Sequence, residues 1–328
     1  MRNRRVTILG ASGFLGRYMV KHLAEAGAVI AAVGRHASRA GYLRPMGDVG
    51  QVAAVDADVL DDRALEAVIA GAEIVVNAVG ILYERGAQTF DALHARLPVR
   101  IAAAAQRAGV KRILHVSALG ADAQSPCHYA RSKAAGEADL RAAFPATTVF
   151  RPSLVFGPED DFFNRFAAYA RVAPALPLVG GGATRFQPVY VADIGAATVA
   201  ALAREDAVGR TYELAGPKPY SFRELMELIL RETGRNCSLV SIPFGLASFE
   251  AAFLEFAVGT ARLVLGPLAP KPPLTRDQVR LLRSDSVPAG NLPGLAELGV
   301  TPTVLELVLP TYLDRFRRGG RSWRARPA

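Results

Sequence analysis

The sequence predicts an α/β fold: a doubly wound parallel sheet with helices on both faces, followed by a smaller C-terminal α/β annex. Three observations predict it. Short apolar runs alternate with helical patterns over the first half of the chain, the pattern of parallel strands joined by crossover helices. A glycine-spaced turn, GASGFLG at 10–16, follows the first run and opens the first helical pattern. At 328 residues, 51% of them hydrophobic, the chain exceeds the usual size of one core and has ample material to fill two.

Taken in order, RVTILG, AVIAAVG, VAAVDAD, EIVVNAVG, RILHVSA and TTVFRPS read as six buried strands, rich in β-branched residues and bounded by turn residues. Between them, RYMVKHLAEAG reads as a helix ended by Gly27, and DDRALEAVIAGA as one opened by Asp61 as N-cap. Residues 1–150 are assigned to a Rossmann-like nucleotide-binding domain, to which the chain returns around 186–215. Residues 151–328 form a smaller domain that faces a substrate or partner and ends in a basic tail. Within it, VAPALPLVGGGATRFQPVYVADIGAA at 172–197 reads as loop, strand, then a helix opened near Asp193. The stretch YELAGPKPYSFRELMELILRETG at 212–234 reads as strand, loop and helix, with Ser221 and Glu224 as a capping box.

Composition narrows the function classes. No run of roughly 18 apolar residues marks a spanning helix. MRNRR is followed at once by a strand pattern, so no secretory signal is expected. Two cysteines, Cys127 and Cys237, lack CxxC spacing, and five histidines show no HExxH pairing, so neither a disulfide framework nor a metal site is expected. A net charge of +9 suits an anionic partner, but no aromatic-studded basic motif supports nucleic acid. Much of the excess lies in Arg2, Arg4 and Arg5 and in the tail RFRRGGRSWRARPA, which fits a solvated tail or a contact with membrane or partner.

The turn supplies the first ligand residues. Gly10, Gly13 and Gly16 permit a tight turn and close approach of a pyrophosphate, and Ser12, Phe14 and Leu15 carry the backbone that meets it at the helix N-terminus. Arg35 stands nineteen residues past Gly16, where an acidic residue would bond a ribose 2′-hydroxyl. Arginine there favours a 2′-phosphate, with Arg17 or Arg39 assisting, so NADP(H) is preferred and NAD(H) is the alternative. Asp58 and Val59 end the third strand, Asn77, Ala78 and Val79 the fourth, and Ser117 the fifth, and all converge at the carboxyl ends.

These residues, with Tyr129-x-x-x-Lys133, DADV at 56–59, NAVG at 77–80 and RPSLVFGPED at 151–160, make the chain resemble the short-chain dehydrogenase/reductase superfamily in its extended or atypical branch. That resemblance implies that Lys133 bonds the nicotinamide ribose and lowers the pKa of Tyr129, that Tyr129 transfers a proton, and that a serine polarises the substrate oxygen. Ser117 is the expected serine. Extended members commonly place it one or two residues further on, where this chain has Ala118 and Leu119, and Ser125 is the other candidate. Pro152 and Ser153 match the segment that contacts the nicotinamide amide. The i,i+4 spacing puts Tyr129 and Lys133 on one helix face, where they serve either as a proton-transfer pair or as two hooks on the cofactor.

A narrower resemblance rests on YLRPMGDVGQV at 42–52, YARSKAAGE at 129–137, FGPEDDFFNRF at 156–166, RFQPVYVADI at 185–194 and PLTRDQVRLL at 273–282. It is to the NADPH-binding accessory subunit of respiratory complex I and its bacterial relatives. It implies tightly held NADPH, a structural or regulatory role, and a peripheral place on the cytoplasmic side of the inner membrane. The alternative is a free NADP-dependent reductase, epimerase or dehydratase in the soluble cytoplasm, using Tyr129 as acid/base on a carbonyl, quinone-related or sugar substrate. Residues 242–268, IPFGLASFEAAFLEFAVGTARLVLGPL, are interrupted only by Glu250, Glu255 and Arg262. Such a segment fits a core helix of the small domain, or a face that docks on a membrane complex or surface.

Overall fold

All six expected runs form strands of one sheet in the computed structural model, which describes residues 1–249 and 275–317. They are β1 (Arg5–Leu9), β2 (Val29–Gly34), β3 (Val52–Asp56), β4 (Ile74–Asn77), β5 (Arg112–Val116) and β6 (Thr147–Pro152). A seventh strand, Thr211–Leu214, pairs parallel with β6, and the spatial order runs from it through β6, β5, β4, β1 and β2 to β3. Every ladder in this sheet is parallel. The order reverses between β4 and β1, which opens a crevice at the carboxyl ends of those strands.

Both faces are covered, so the central strands β4 and β5 are buried at every residue rather than alternating. On one face Val6, Ile8, Leu114 and Val116 pack against Met19 and Leu23 of α1 (Phe14–Glu25) and Ile194 and Ala197 of α6 (Val191–Ala203). On the other, Leu9, Val75 and Ile113 meet α2 (Asp62–Ile69), α3 (Leu97–Arg107) and α4 (His128–Ala143) through Leu65, Ile101 and Leu140. α1 ends where expected, with Gly27 at φ +85°. Asp61 caps α2 by accepting from the Ala64 N–H at 2.9 Å.

One irregularity shapes the site. Residues Asp91–Arg96 form a π-helical turn that runs straight into α3. Its backbone lies so close to α4 that a Cβ on Gly136 would stand 1.7 Å from the His94 carbonyl oxygen. Glycine at 136 is therefore what lets the turn reach α4.

The annex has its own core of Phe156, Phe163, Leu176, Leu178, Leu225 and Leu309, built around α5 (Phe162–Val172) and α7 (Phe222–Thr233). The Ser221–Glu224 capping box opens α7. One expectation is corrected here. Residues Ala175–Val179, read as loop, are a strand paired parallel with Ser238–Ile242. Leu176 and Leu178 point inward and Pro177 outward, a period-2 alternation that the surrounding prolines and glycines hide. α6 opens at Val191, near Asp193 as expected, and the Asp193 carboxylate in its first turn accepts from the Thr303 N–H at 2.7 Å and Oγ1 at 2.8 Å.

Of the apolar segment 242–268, residues 250–268 lie outside the described residues. Residues 244–249 are helical, with Ala247 buried and Phe249 73% exposed. Among the described residues no helix is long and apolar enough to cross a membrane. The tail from 318 onward also lies outside them. Ahead of it, Arg317 donates to the Glu232 carbonyl at 2.6 Å and Arg315 to Asn164, so these two arginines are tied to the annex.

Candidate functional site

The glycine turn does its work through backbone. Gly10 has φ +81°, and a Cβ there would meet Ala78 C and O at 3.0 Å. A Cβ on Gly16 would stand 2.2 Å from the Gly10 carbonyl, so glycine allows α1 to sit tight against β1. No side chain caps α1 at Gly13, which leaves its first-turn N–H groups for an anion. Phe14 and Leu15 carry those groups. Ser12 lies against Gly34 at the end of β2: a Cβ on Gly34 would be 2.8 Å from Ser12 Oγ. The turn is braced from outside, since Tyr42 donates to the Ser12 carbonyl at 2.8 Å and stacks under Arg17 at 4.5 Å.

Of the arginines near the end of β2, Arg17 is paired and Arg35 and Arg39 point to solvent. Arg17 is 3.5 Å from Glu159 and bonded to the Gly13 carbonyl at 3.3 Å. Arg35, His36 and Arg39 are exposed. Across from Gly34, the Asp56 carboxylate accepts from Ser38 N at 2.8 Å and Oγ at 2.5 Å, and these bonds hold it below the usual carboxylate range. That grip fixes the loop carrying Arg35 and Arg39. Asp58 accepts from the Leu60 N–H at 3.0 Å, and Val59 beside it is buried.

The turn after β4 is set by Asn77, which is fully buried. Its Oδ1 accepts from the Val79 N–H at 3.1 Å, and its Nδ2 donates to His115 Nδ1 at 3.1 Å. The first bond shapes Ala78-Val79, the backbone that meets Gly10. The second assigns His115 the Nε2–H tautomer, and that Nε2 has no partner. Ser117 Oγ, one residue past the end of β5, is likewise buried without a partner. Two orphaned buried polar atoms beside the crevice are what a polar ligand would satisfy.

His94 joins the two sides of this half. Ser132 Oγ donates to the Tyr129 carbonyl at 2.8 Å, so His94 Nδ1–H donates to Ser132 at 3.2 Å and its Nε2 accepts from the Ile81 N–H at 3.1 Å. Burial, with the nearby Lys133 charge, pushes His94 down to about 2 and His115 to about 3. Both are neutral imidazoles. Sequence reasoning missed them: two of five scattered histidines, with no spacing signal to single them out.

Lys133 is buried and donates to the Val116 carbonyl at 3.1 Å, which places it beside Ser117. Burial lowers it to about 8, partly offset by Glu137, itself held by Arg151 through bonds of 2.8 and 3.0 Å. A Cβ on Gly80 would be 3.5 Å from Lys133 Nζ and 3.8 Å from His94 Nε2, so the loop after β4 passes directly over both. The Tyr129 ring packs edge-on against His94 at 5.3 Å and Phe90 at 5.7 Å, and burial raises its phenol above the ordinary value. A phenol so raised is a proton donor, not a phenolate.

Lys133 and Ser117 therefore meet at the end of β5, Tyr129 reaches the same region through His94, and Gly10–Gly16 adjoins the turn after β4 through Ala78. Ser125 does not join them: its Oγ accepts from the Cys127 N–H at 3.2 Å in the turn before α4. Pro152 lies alongside, its carbonyl accepting from the Leu119 N–H at 2.9 Å. The Ser153 hydroxyl is occupied by the Ser286 carbonyl at 2.7 Å. The glycine cradle, bare helix end, exposed arginines and orphaned polar atoms fit a dinucleotide laid across the crevice.

Comparison with known proteins agrees with this geometry. Residues 6–215 match the model of the NAD-dependent epimerase/dehydratase family. Subunit 9 of the NADH dehydrogenase [ubiquinone] 1 alpha subcomplex, mitochondrial, from Arabidopsis thaliana is 36% identical over 321 residues, 96% of this chain and 78% of the relative. A ceramide reductase from Caulobacter vibrioides is 32% identical over 241 residues, 73% of each. Among solved structures, Citrobacter sp. triphenylmethane reductase complexed with NADP(H) superposes with a TM-score of 0.71 at 20% identity, covering 94% of this chain and 99% of that one. At that identity the last likeness speaks for the fold alone.

Proposed function

This chain belongs to the NAD-dependent epimerase/dehydratase family, an NAD(P)-binding fold, and from that premise we propose that it is an NADP(H)-holding accessory subunit of a respiratory complex I-type NADH:quinone oxidoreductase. The observation that carries the reading is the extent of the likeness to the respiratory subunit, which runs over 96% of this chain rather than its nucleotide-binding half alone. The protein lies peripherally at the cytoplasmic side of the inner membrane. Its role is structural or regulatory.

The residues divide the cofactor between them. The α1 N-terminus and Gly10, Gly13 and Gly16 take the pyrophosphate, and Arg35, assisted by Arg39, takes a 2′-phosphate, giving NADP(H) preference over NAD(H). Lys133 and Tyr129 take the nicotinamide ribose, and Ser117 and the Asn77–Val79 turn wall the ring. The cofactor, when bound, supplies a nicotinamide able to exchange hydride; this chain's part is to bind it, orient it and keep Tyr129 protonated.

Mild-detergent solubilisation of native membranes, followed by native electrophoresis, tests the reading. The protein is expected to co-migrate with NADH:quinone oxidoreductase activity. Migration as a small free species sinks it.

A second reading, a free NADP-dependent reductase, is favoured by two observations: burial keeps the Tyr129 phenol protonated, and a relative named for reductase activity is similar over 73% of the chain. NADPH oxidation with a carbonyl substrate, abolished in Tyr129→Phe, would establish it.

A further inference from the structure

The segment Thr275–Ser286 passes along the carboxyl ends of the strands on the Lys133 side of the crevice. Thr275 and Gln278 form a capping box that fixes the short helix Arg276–Leu281. From that helix Asp277 reaches α4. Its carboxylate accepts from the N–H groups of His128 at 3.0 Å and Tyr129 at 2.8 Å, and from Cys127 Sγ at 3.1 Å. α4 has no cap of its own, since Cys127 at the N-cap position makes no capping bond. An aspartate 148 residues away in sequence supplies it.

The same segment is anchored twice more. Asp285 holds Arg185 at 2.8 Å, and the Ser286 carbonyl accepts from Ser153 Oγ, just past β6, at 2.7 Å. Gln278 Nε2 also approaches the Leu82 carbonyl, in the loop after β4, at 3.5 Å. The strap thus touches the loop after β4, the start of α4 and the loop after β6, three borders of one crevice.

Resting on the reading of that crevice as a dinucleotide site, we propose that Asp277 is a positioning residue for Tyr129 and Lys133, and that through it the strap 275–286 holds the crevice closed over bound cofactor. The first turn of a helix frays unless its N–H groups find acceptors, and a carboxylate there also complements the helix dipole. Tyr129 is the second residue of α4 and Lys133 the sixth, so the fixed end determines where both side chains stand. Losing Asp277 frees the helix end and removes the strap's tie to it, while the ties at Asp285 and Ser286 remain.

The test is the rate at which the full-length chain releases NADPH, followed by nucleotide fluorescence after adding excess NADP⁺. Asp277→Ala is expected to release NADPH about tenfold faster than wild type, the size of effect a lost cap produces. Asp277→Asn, which keeps one acceptor, should lie between them. Asp193→Ala is the control: it removes a comparable carboxylate tie, to Thr303, on the opposite face of the sheet. It should lower the melting temperature and leave the release rate unchanged. A wild-type release rate in folded Asp277→Ala overturns the proposal, as does equal acceleration in both alanine variants. Should Asp277→Ala fail to fold, an unchanged rate in Asp277→Asn overturns it. A wild-type chain that binds no NADPH removes the dinucleotide reading itself, whereas binding without any Asp277 effect removes only the strap.

Discussion

The two halves of the crevice meet at Ala78 and are built of different material. On the β1–β2 side the contacts are backbone: the Gly10 carbonyl against Gly16, Gly10 against Ala78, and the bare end of α1. On the β4–β5–α4 side they are buried polar side chains, with Asn77, His94, His115, Ser132 and Lys133 all largely shielded from water. At the pyrophosphate turn the first half works by leaving side chains out. The second works by holding two histidines neutral beside a buried lysine, in a place where charge is costly. One is a shape and the other an electrostatic setting, so they should break in different ways.

The largest effect is expected where the second half depends on shape as well. Gly136→Ala would put a Cβ 1.7 Å from the His94 carbonyl, a backbone atom that cannot swing away. Overpacking of this kind costs about 3 kcal/mol or more, a large share of ordinary stability. A denaturant titration should show the midpoint collapse. Unchanged stability would mean that the π-turn is not pinned to α4.

Next comes Arg35→Asp on the backbone half. An exposed arginine bonding a phosphate through charged hydrogen bonds contributes about 1.5–3 kcal/mol. The reversal should weaken NADPH binding by roughly that amount and leave NADH binding equal or better, read by fluorescence titration with each nucleotide. Equal loss for both would assign Arg35 to the fold rather than to specificity.

The third effect separates the halves by pH. His94 and His115 sit far below the ordinary 6.5, so as pH falls under that value the unfolded chain takes up protons that the folded chain refuses. Their stabilising share is complete above about pH 6.5 and is lost on acidification towards about 3, at up to about 1.4 kcal/mol per pH unit for each. His94→Gln removes one of the two. Its stability should fall less steeply than wild type between pH 6.5 and 5, besides being lower at neutral pH by about 1–3 kcal/mol for the lost buried bonds. Parallel curves would show that His94 is not held neutral.

The same division explains what the sequence made legible. Glycine spacing after a strand, β-branched runs and an i,i+4 tyrosine and lysine are local patterns, and they located all six strands, the turn and α4. The buried polar set is not local. His94 acts through a π-turn, Gly136 through a backbone it touches 42 residues away in the chain, and Asp277 through a helix end that it caps from 148 residues away. No periodicity encodes such pairings. The strand Ala175–Val179 was hidden for the opposite reason: its alternation is local, but Pro174, Pro177 and the glycines after it signal loop more loudly.

The smallest expected effect bears on what the second half is for. The Tyr129 ring is held by Phe90 and His94, contacts that phenylalanine keeps, so Tyr129→Phe should fold as wild type. If tyrosine and lysine are two hooks on a ribose, the phenol contributes one neutral hydrogen bond, about 0.5–1.5 kcal/mol, and Lys133 continues to hold. NADPH affinity should then fall only a few-fold. Because burial raises the phenol and draws Lys133 down to about 8, the lysine is the hook that carries charge near neutral pH. Loss of affinity in Tyr129→Phe by two orders of magnitude would reverse that ranking. Retained affinity with a reductase turnover abolished would turn the electrostatic half from a holder into a catalyst, since a positioned acid is worth about 10²–10⁴-fold in rate and little in ground-state binding.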